Sequence, residues 1–192
     1  MRRRAMVVLA GLISACSPST GVIYNHYVYP SYRPDDIAFA GASGQLWTEV
    51  LGNPFAVPKP VFDEAVTRAM HGAHFGPATD FTTTPTRGLS PTYHVRLMFN
   101  ANALSTWNNI CADNPPIVTP SPSSAGAVSL SAGFCQDDLG LTFLNAEGSG
   151  FSGPDDPRFA RFIADVTMKL FPVQNNPELL PEHERPCGFP AC

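Results

Sequence analysis

The sequence has few positive charges and no long hydrophobic run. Its 192 residues include 12 Lys and Arg against 16 Asp and Glu, a formal net charge of −4. Nucleic acid is a poor candidate ligand because phosphate binding needs clustered positive charge, and the same shortage argues against electrostatic adhesion to anionic lipid. No apolar run after residue 16 approaches the roughly 20 residues that a transmembrane helix needs.

The common catalytic motifs are missing as well. The sequence contains no Gly-x-Ser-x-Gly, no His-Glu-x-x-His and no Cys-x-x-Cys, which are patterns of serine hydrolases, zinc proteases and many zinc sites. The sequence therefore predicts no cofactor and favours a protein that is not an enzyme. Hydrophobic residues make up 44% of the chain, which suits one globular domain, and the 20 prolines exceed the usual share of about 5%.

The first sixteen residues have the organisation of an export signal. Residues 2–4 are arginines, and residues 5–13 form an uncharged, mostly apolar run of nine. That run is too short to span a bilayer, and the basic flank before it is typical of a signal peptide. Residues 13–16 then read Ile-Ser-Ala-Cys, an aliphatic residue and two small residues before a cysteine.

This ending resembles the lipobox of bacterial lipoproteins. In that family the cysteine receives a diacylglycerol, a peptidase cuts before it, and the new amino group is acylated. The resemblance implies a signal peptide over residues 1–15 and a lipidated Cys16, with a stable anchor because several acyl chains bind membranes far better than one. Ser17 follows the cysteine, which in this family implies an outer-membrane location facing the periplasm. An ordinary secretory signal with a chance cysteine is the alternative.

Four cysteines remain in the mature chain: Cys111, Cys135, Cys187 and Cys192. An even number in an exported protein predicts two disulfides, for which three connectivities are possible. We favour Cys111–Cys135 and Cys187–Cys192 because each pair is local and brackets a loop. Closing a loop of about 25 residues with the first pair could stabilise the fold by roughly 3 kcal/mol.

Hydrophobic periodicity predicts one α+β domain. Residues 45–51, 92–99, 126–134 and 139–144 have the alternation of strands, and residues 60–71 and 157–171 have the three-to-four spacing of helices. The order β-α-β-β-β-α, with hairpin-linked strands, predicts a two-layer sandwich: a mainly antiparallel sheet of about four strands with both helices on one face.

The regions before and after this domain show neither the alternation of a strand nor the spacing of a helix. Residues 16–42 are expected to be a lipidated tether, residues 43–172 the domain, and residues 173–192 a Pro-rich tail with the second disulfide. The order of elements resembles small envelope lipoproteins of Gram-negative bacteria, and this resemblance implies no particular activity.

Two short motifs are candidates for a ligand site or a metal site. Residues 148–153 match Gly-x-Gly-x-x-Gly, but Asp155 and Asp156 precede the predicted helix and would repel a pyrophosphate, so a connecting loop is the better interpretation. His71 and His74 lie three residues apart at the end of the first helix and could share a metal ion. No third ligand is evident, and a helix C-terminus favours histidine in any case.

One strand face could meet a partner. His94, Arg96 and Met98 share the side of strand 92–99 that faces away from the helices, and their mixed character suits a protein interface. The sequence thus predicts a lipid-anchored envelope protein with a non-catalytic binding or structural role and another envelope protein as partner. The alternatives are an envelope hydrolase or metal-dependent enzyme that uses His71 and His74, and a small-ligand binder that uses the Gly-rich loop.

Overall fold

The computed structural model describes residues 21–86, 92–101, 105–114 and 126–173. These residues form one six-stranded sheet and three helices. In chain order the elements are β1 (Gly21–Val28), α1 (Asp36–Ala40), β2 (Gln45–Leu51), α2 (Lys59–Met70), β3 (Asp80–Thr82), β4 (Tyr93–Phe99), β5 (Val128–Gln136), β6 (Leu139–Gly148) and α3 (Pro157–Leu170). Within this described part, no helix has the length and apolar character to cross a membrane.

The sheet is mixed, with the strand order β1-β6-β5-β4-β2-β3. β2 runs parallel to both of its neighbours, β3 and β4, and the other pairs are antiparallel. The parallel pair β2 and β3 is joined through α2, as parallel strands need a crossover connection. β5 and β6 form a tight hairpin in which Asp137 has a φ of +53°, a conformation that Asp tolerates better than most residues.

The predicted four-stranded, mainly antiparallel sheet with two helices is therefore wrong. The prediction omitted β1, α1 and β3, and it did not foresee the parallel pairing of β2. β1 was missed because its register shifts between Tyr24 and Tyr27 and Asn25 has a φ of +50°. A bulge of this kind interrupts the period-two alternation by which a strand is recognised. Most of the segment expected to be a tether thus belongs to the folded domain, and α1 and β3 are too short to show a period.

α2 and α3 cover one face of the sheet, which we call the helix face. Each helix contributes a buried stripe, with Phe62 and Met70 on α2 and Phe159 on α3 fully buried. Phe62 meets Phe99 of β4 with ring centroids 4.9 Å apart in an edge-to-face arrangement, the geometry that aromatic pairs prefer. This apolar layer is the main core of the domain.

Residues 105–114, which we call the covering segment, lie on the opposite face of the sheet, the loop face. They help to bury a second apolar cluster that includes Met98, Ile110 and Phe143. A Cβ at Gly133 would lie 2.7 Å from Ile110 Cγ1, and one at Gly140 would lie 2.6 Å from the carbonyl oxygen of Trp107. The segment can approach the sheet this closely because both positions lack a side chain.

Candidate functional site

Arg96 fastens the covering segment to the loop face. Its Nη1 donates to the carbonyl oxygens of Ile110 at 2.9 Å and Ala112 at 2.7 Å. Its Nε donates to Oε2 of Glu49 at 2.5 Å, in an ion pair whose Arg96 side chain is only 8% exposed. A buried guanidinium must be paired and hydrogen-bonded, and these three acceptors meet that requirement while they fix the segment.

A disulfide makes a second attachment. Cys111 of the covering segment is bonded to Cys135 of β5, with the two Cα atoms 5.6 Å apart. This is one of the two pairs that the sequence predicted. The other, Cys187–Cys192, lies outside the described residues, as does Cys16.

The attached segment forms one wall of an aromatic cleft at the β1 side of the loop face. Trp107 stacks on Tyr27, with ring centroids 4.8 Å apart and planes inclined by 25°, and Tyr29 flanks the indole at 6.3 Å. Two adjoining cavities share Tyr27 and Trp107. We use the name aromatic cleft for both, lined by Asn25, His26, Tyr27, Tyr29, Pro30, Ser31, Ser105, Thr106, Trp107, Phe143 and Asn145.

The inner cavity of the cleft has a volume of about 240 Å³ and a polar floor. Asn145 is 1% exposed, and its Oδ1 accepts a hydrogen bond from Ser131 Oγ at 2.7 Å. Ser131 Oγ in turn accepts from the backbone N–H of Ser105 at 3.3 Å. This chain ties the covering segment to the sheet and sets the orientation of the Asn145 amide, so that Nδ2 is the group of that side chain left to meet a ligand.

The described lining of the cleft is uncharged near neutral pH. It contains no Asp, Glu, Lys or Arg. Burial, together with the nearby charge of Lys169, lowers the pKa of His26 below its usual value, so the imidazole is neutral at pH 7. The ring also hydrogen-bonds to the backbone of Lys169 on α3, so the imidazole is not counted among the groups that the cleft offers to a ligand. The cleft thus suits an uncharged ligand that can use aromatic, hydroxyl and amide contacts.

The residues predicted as a partner surface are buried on the loop face. Counted as whole residues, His94, Arg96 and Met98 are 8%, 6% and 1% exposed. Met98 accepts a hydrogen bond from Ser105 of the covering segment, and burial followed by the charge of Arg96 lowers the pKa of His94. The strand alternation placed all three on the correct face, but the covering segment occludes it, so they present no open surface to a partner.

His71 and His74 do not converge on a shared site. His71 is exposed, whereas the His74 ring lies among aromatic rings, 5.4 Å from Phe81 and 5.9 Å from Phe171. Across the described ranges, no group of three or more His, Cys, Asp or Glu side chains is arranged to hold a metal ion. The geometry therefore gives no support to a metal-dependent reaction at these histidines.

The Gly-rich loop over residues 148–153 is held by side chains of its own chain. Asp156 caps α3 by accepting from the backbone N–H of Arg158 and also accepts from the backbone N–H of Ser152 at 2.9 Å. Arg158 Nη2 donates to the carbonyl of Gly150. A carboxylate occupies the helix N-terminus where a pyrophosphate would have to bind, so this loop has a structural explanation.

Sequence reasoning missed the residues that form the cleft. Tyr27, Tyr29 and Trp107 lie in segments without strand or helix period, and Asn145 lies just beyond the predicted strand 139–144. One signal was available, since β1 and its continuation are rich in tyrosine. The place of Trp107 beside Tyr27 could not be predicted, because it depends on packing between residues far apart in the chain.

Comparisons with known proteins give little further guidance. No family model matches the chain, and no curated protein matches it. Among solved structures, the chain is similar to a dodecamer of a PelC point variant from Paraburkholderia phytofirmans, with 11% sequence identity and a TM-score of 0.42, over 80% of this chain and 99% of that one.

Proposed function

We propose that this chain is a lipid-anchored protein of the bacterial envelope and that its domain is a non-catalytic binding module. Lipid on Cys16 would hold the module at the outer membrane, facing the periplasm, and the aromatic cleft would be its binding surface. The partner in this proposal is another envelope component, with no role for nucleic acid.

The aromatic cleft is the observation that carries the binding role. It combines a stacked Tyr27–Trp107 pair with a buried amide at Asn145, and a concave surface with aromatic walls and a few oriented polar groups is the usual form of a ligand site. The Cys111–Cys135 disulfide supports the location, because disulfides form and persist in oxidising compartments such as the periplasm.

Metabolic labelling tests the anchor. In a bacterial host, labelled palmitate should enter the wild-type chain and fail to enter Cys16→Ser, because the thiol is the attachment point. Mass spectrometry should find the acylated cysteine at the mature N-terminus. An unmodified mature chain that fractionates with soluble periplasmic proteins would overturn the proposed anchoring.

Site-specific photo-crosslinking in cells tests the binding role. A photoreactive amino acid at Thr106, which is exposed at the cleft, should capture an envelope component. The same group at Val61, which is 46% exposed on α2, is the matched control on the other side of the sheet. Equal capture from the two positions, or capture from Val61 alone, would contradict a binding role for the cleft.

A further inference from the structure

The size of the inner cavity limits what the cleft can hold. Its volume of about 240 Å³ lies just below the range of about 300–1,000 Å³ that is usual for drug-sized ligands. One six-membered ring with substituents fits such a space. The second cavity, beyond the Tyr27–Trp107 pair, is more open and is lined by Tyr29, Pro30 and Ser31, so a ligand could extend in that direction.

The polar groups of the inner cavity suit hydroxyl groups. Asn25 is exposed and offers its amide, Thr106 is exposed with a hydroxyl that already donates to Asn108 and can still accept, and Asn145 offers its Nδ2 group from the floor. Because the Ser131–Asn145 hydrogen bond fixes the amide, this donor is oriented before a ligand arrives, which lowers the entropic cost of binding. Short polar side chains of this kind can donate hydrogen bonds to the hydroxyl groups of a ring and accept hydrogen bonds from them.

The aromatic residues suit the apolar face of the same ligand. Trp107 is partly exposed and lines both cavities, so part of the indole is available to a ligand that spans them. A pyranose ring has C–H groups on its faces and hydroxyls around its edge, which matches an aromatic wall beside a polar floor. A phosphate or carboxylate would find no cation in the described lining.

From this arrangement we infer that the aromatic cleft binds a neutral saccharide, with Trp107 contacting a face of the sugar ring and Asn145 and Asn25 hydrogen-bonding its hydroxyls. The inference rests on the proposed binding function and adds to it a ligand class and the residues that recognise it.

Ligand-observed NMR with the full-length chain tests this inference. The chain is purified in a polyoxyethylene detergent, because sugar-based detergents would compete. The probes are methyl glucoside, methyl galactoside, N-acetylglucosamine and cellobiose, with hexaproline as the peptide probe. We expect saturation transfer to at least one sugar, displaced by excess of the same sugar. In a Trp47→Phe background, the same sugar should change the fluorescence of Trp107.

Three variants locate the contact. Trp107→Ala should weaken sugar binding about tenfold or more, given the energy of an aromatic contact and the buried area that is lost. Asn25→Gly should weaken it severalfold without disturbing the fold, because glycine accepts the φ of +50° at this position. Phe75→Ala is the matched control, since Phe75 is 59% exposed outside the cleft, and it should bind sugar like the wild type.

The outcomes separate this inference from the proposed function. If no sugar binds, or if Trp107→Ala and Asn25→Gly both bind it as well as Phe75→Ala does, the saccharide inference is overturned. If hexaproline binds and Trp107→Ala abolishes that binding while sugars give no signal, the saccharide is again excluded but the cleft remains a binding site. The binding function itself fails only by the crosslinking comparison between Thr106 and Val61.

Discussion

On the helix face, α2 and α3 bury a continuous layer of phenylalanine and aliphatic side chains against the sheet. On the loop face, the covering segment over residues 105–114 has no helix or strand and is attached through one disulfide, the hydrogen bonds of Arg96 and Ser105, and close contacts at two glycines. The first face is stabilised by many apolar contacts, and the second by a few specific ones. The aromatic cleft lies on the second face, where each attachment can be removed singly.

This contrast suggests that the helix face stabilises the fold and the loop face carries the binding residues. An extensive apolar core keeps the sheet folded, and a segment attached at a few points can carry binding residues on that base. Ligand-binding loops are commonly drawn from the less stable parts of a fold. The four predictions below test this contrast, from the largest expected effect to the smallest.

The helix face should show the largest loss of stability. Phe159 is fully buried and contacts several other aromatic rings, so Phe159→Ala should lower the free energy of unfolding by about 3–5 kcal/mol, measured by urea denaturation. Met168→Ala, on the same helix but 48% exposed, should change it by no more than about 0.5 kcal/mol. Similar losses in the two variants would show that the helix face is not the dominant core.

Removal of the disulfide should cost less. The double variant Cys111→Ser and Cys135→Ser should lose about 2–4 kcal/mol in the same urea measurement, because the crosslink restricts the unfolded chain. The wild-type chain under reducing conditions is the control and should move in the same direction. If both keep the stability of the oxidised protein, the bond contributes nothing to holding the covering segment.

The glycine contact should show a smaller, coupled effect. Gly133→Ala places a methyl group against Ile110 and should cost about 1–3 kcal/mol through overpacking. In an Ile110→Ala background the same change should cost almost nothing, which a double-mutant cycle detects. Gly153→Ala, where an added Cβ meets no atom within 4 Å, is the control. Additive costs at positions 133 and 110 would mean that the segment does not rest on the sheet at this point.

The cap of α3 should show the smallest effect, and only in acid. Hydrogen bonds from Arg158, followed by those from the backbone N–H groups of Ser152 and Arg158, hold the pKa of Asp156 well below its usual value near 3.8. A carboxyl whose pKa is lowered in the folded state stabilises the protein above its unfolded pKa. That stabilisation is lost as the pH falls below about 4.

Asp156→Asn should therefore flatten the fall in thermal midpoint below about pH 4, because the group that titrates there is gone. Thermal unfolding at a series of acid pH values measures it. If the thermal midpoint of the variant falls with decreasing pH as steeply as that of the wild type, the ionised cap does not contribute to stability.

The sequence predicted the helix face far better than the loop face. The periods that predicted helices over 60–71 and 157–171 arise from the same burial that the structure shows on α2 and α3, so pattern and packing agree. The predicted pairing of Cys111 with Cys135 is confirmed. It could be predicted because the two cysteines are close in sequence and flank one loop. β1 was not predicted, because its bulge at Asn25 interrupts the alternation of buried and exposed residues.

The aromatic cleft could not be found in the same way. Its position depends on contacts between residues far apart in the chain, such as Ile110 on Gly133 and Arg96 with the carbonyl of Ala112. Neither contact has a periodic signal. The alternation did place His94, Arg96 and Met98 on the face opposite the helices, but local pattern cannot show that another segment covers them.

Hydrogen exchange monitored by mass spectrometry tests most directly the claim that the covering segment is held separately from the core. Peptides from residues 105–114 and from α3 are compared in the oxidised and the reduced protein. We expect reduction to speed exchange in residues 105–114 much more strongly than in α3, which should accelerate no more than the loss of global stability requires. Equal acceleration of both peptides, or no change in residues 105–114, would contradict separate attachment.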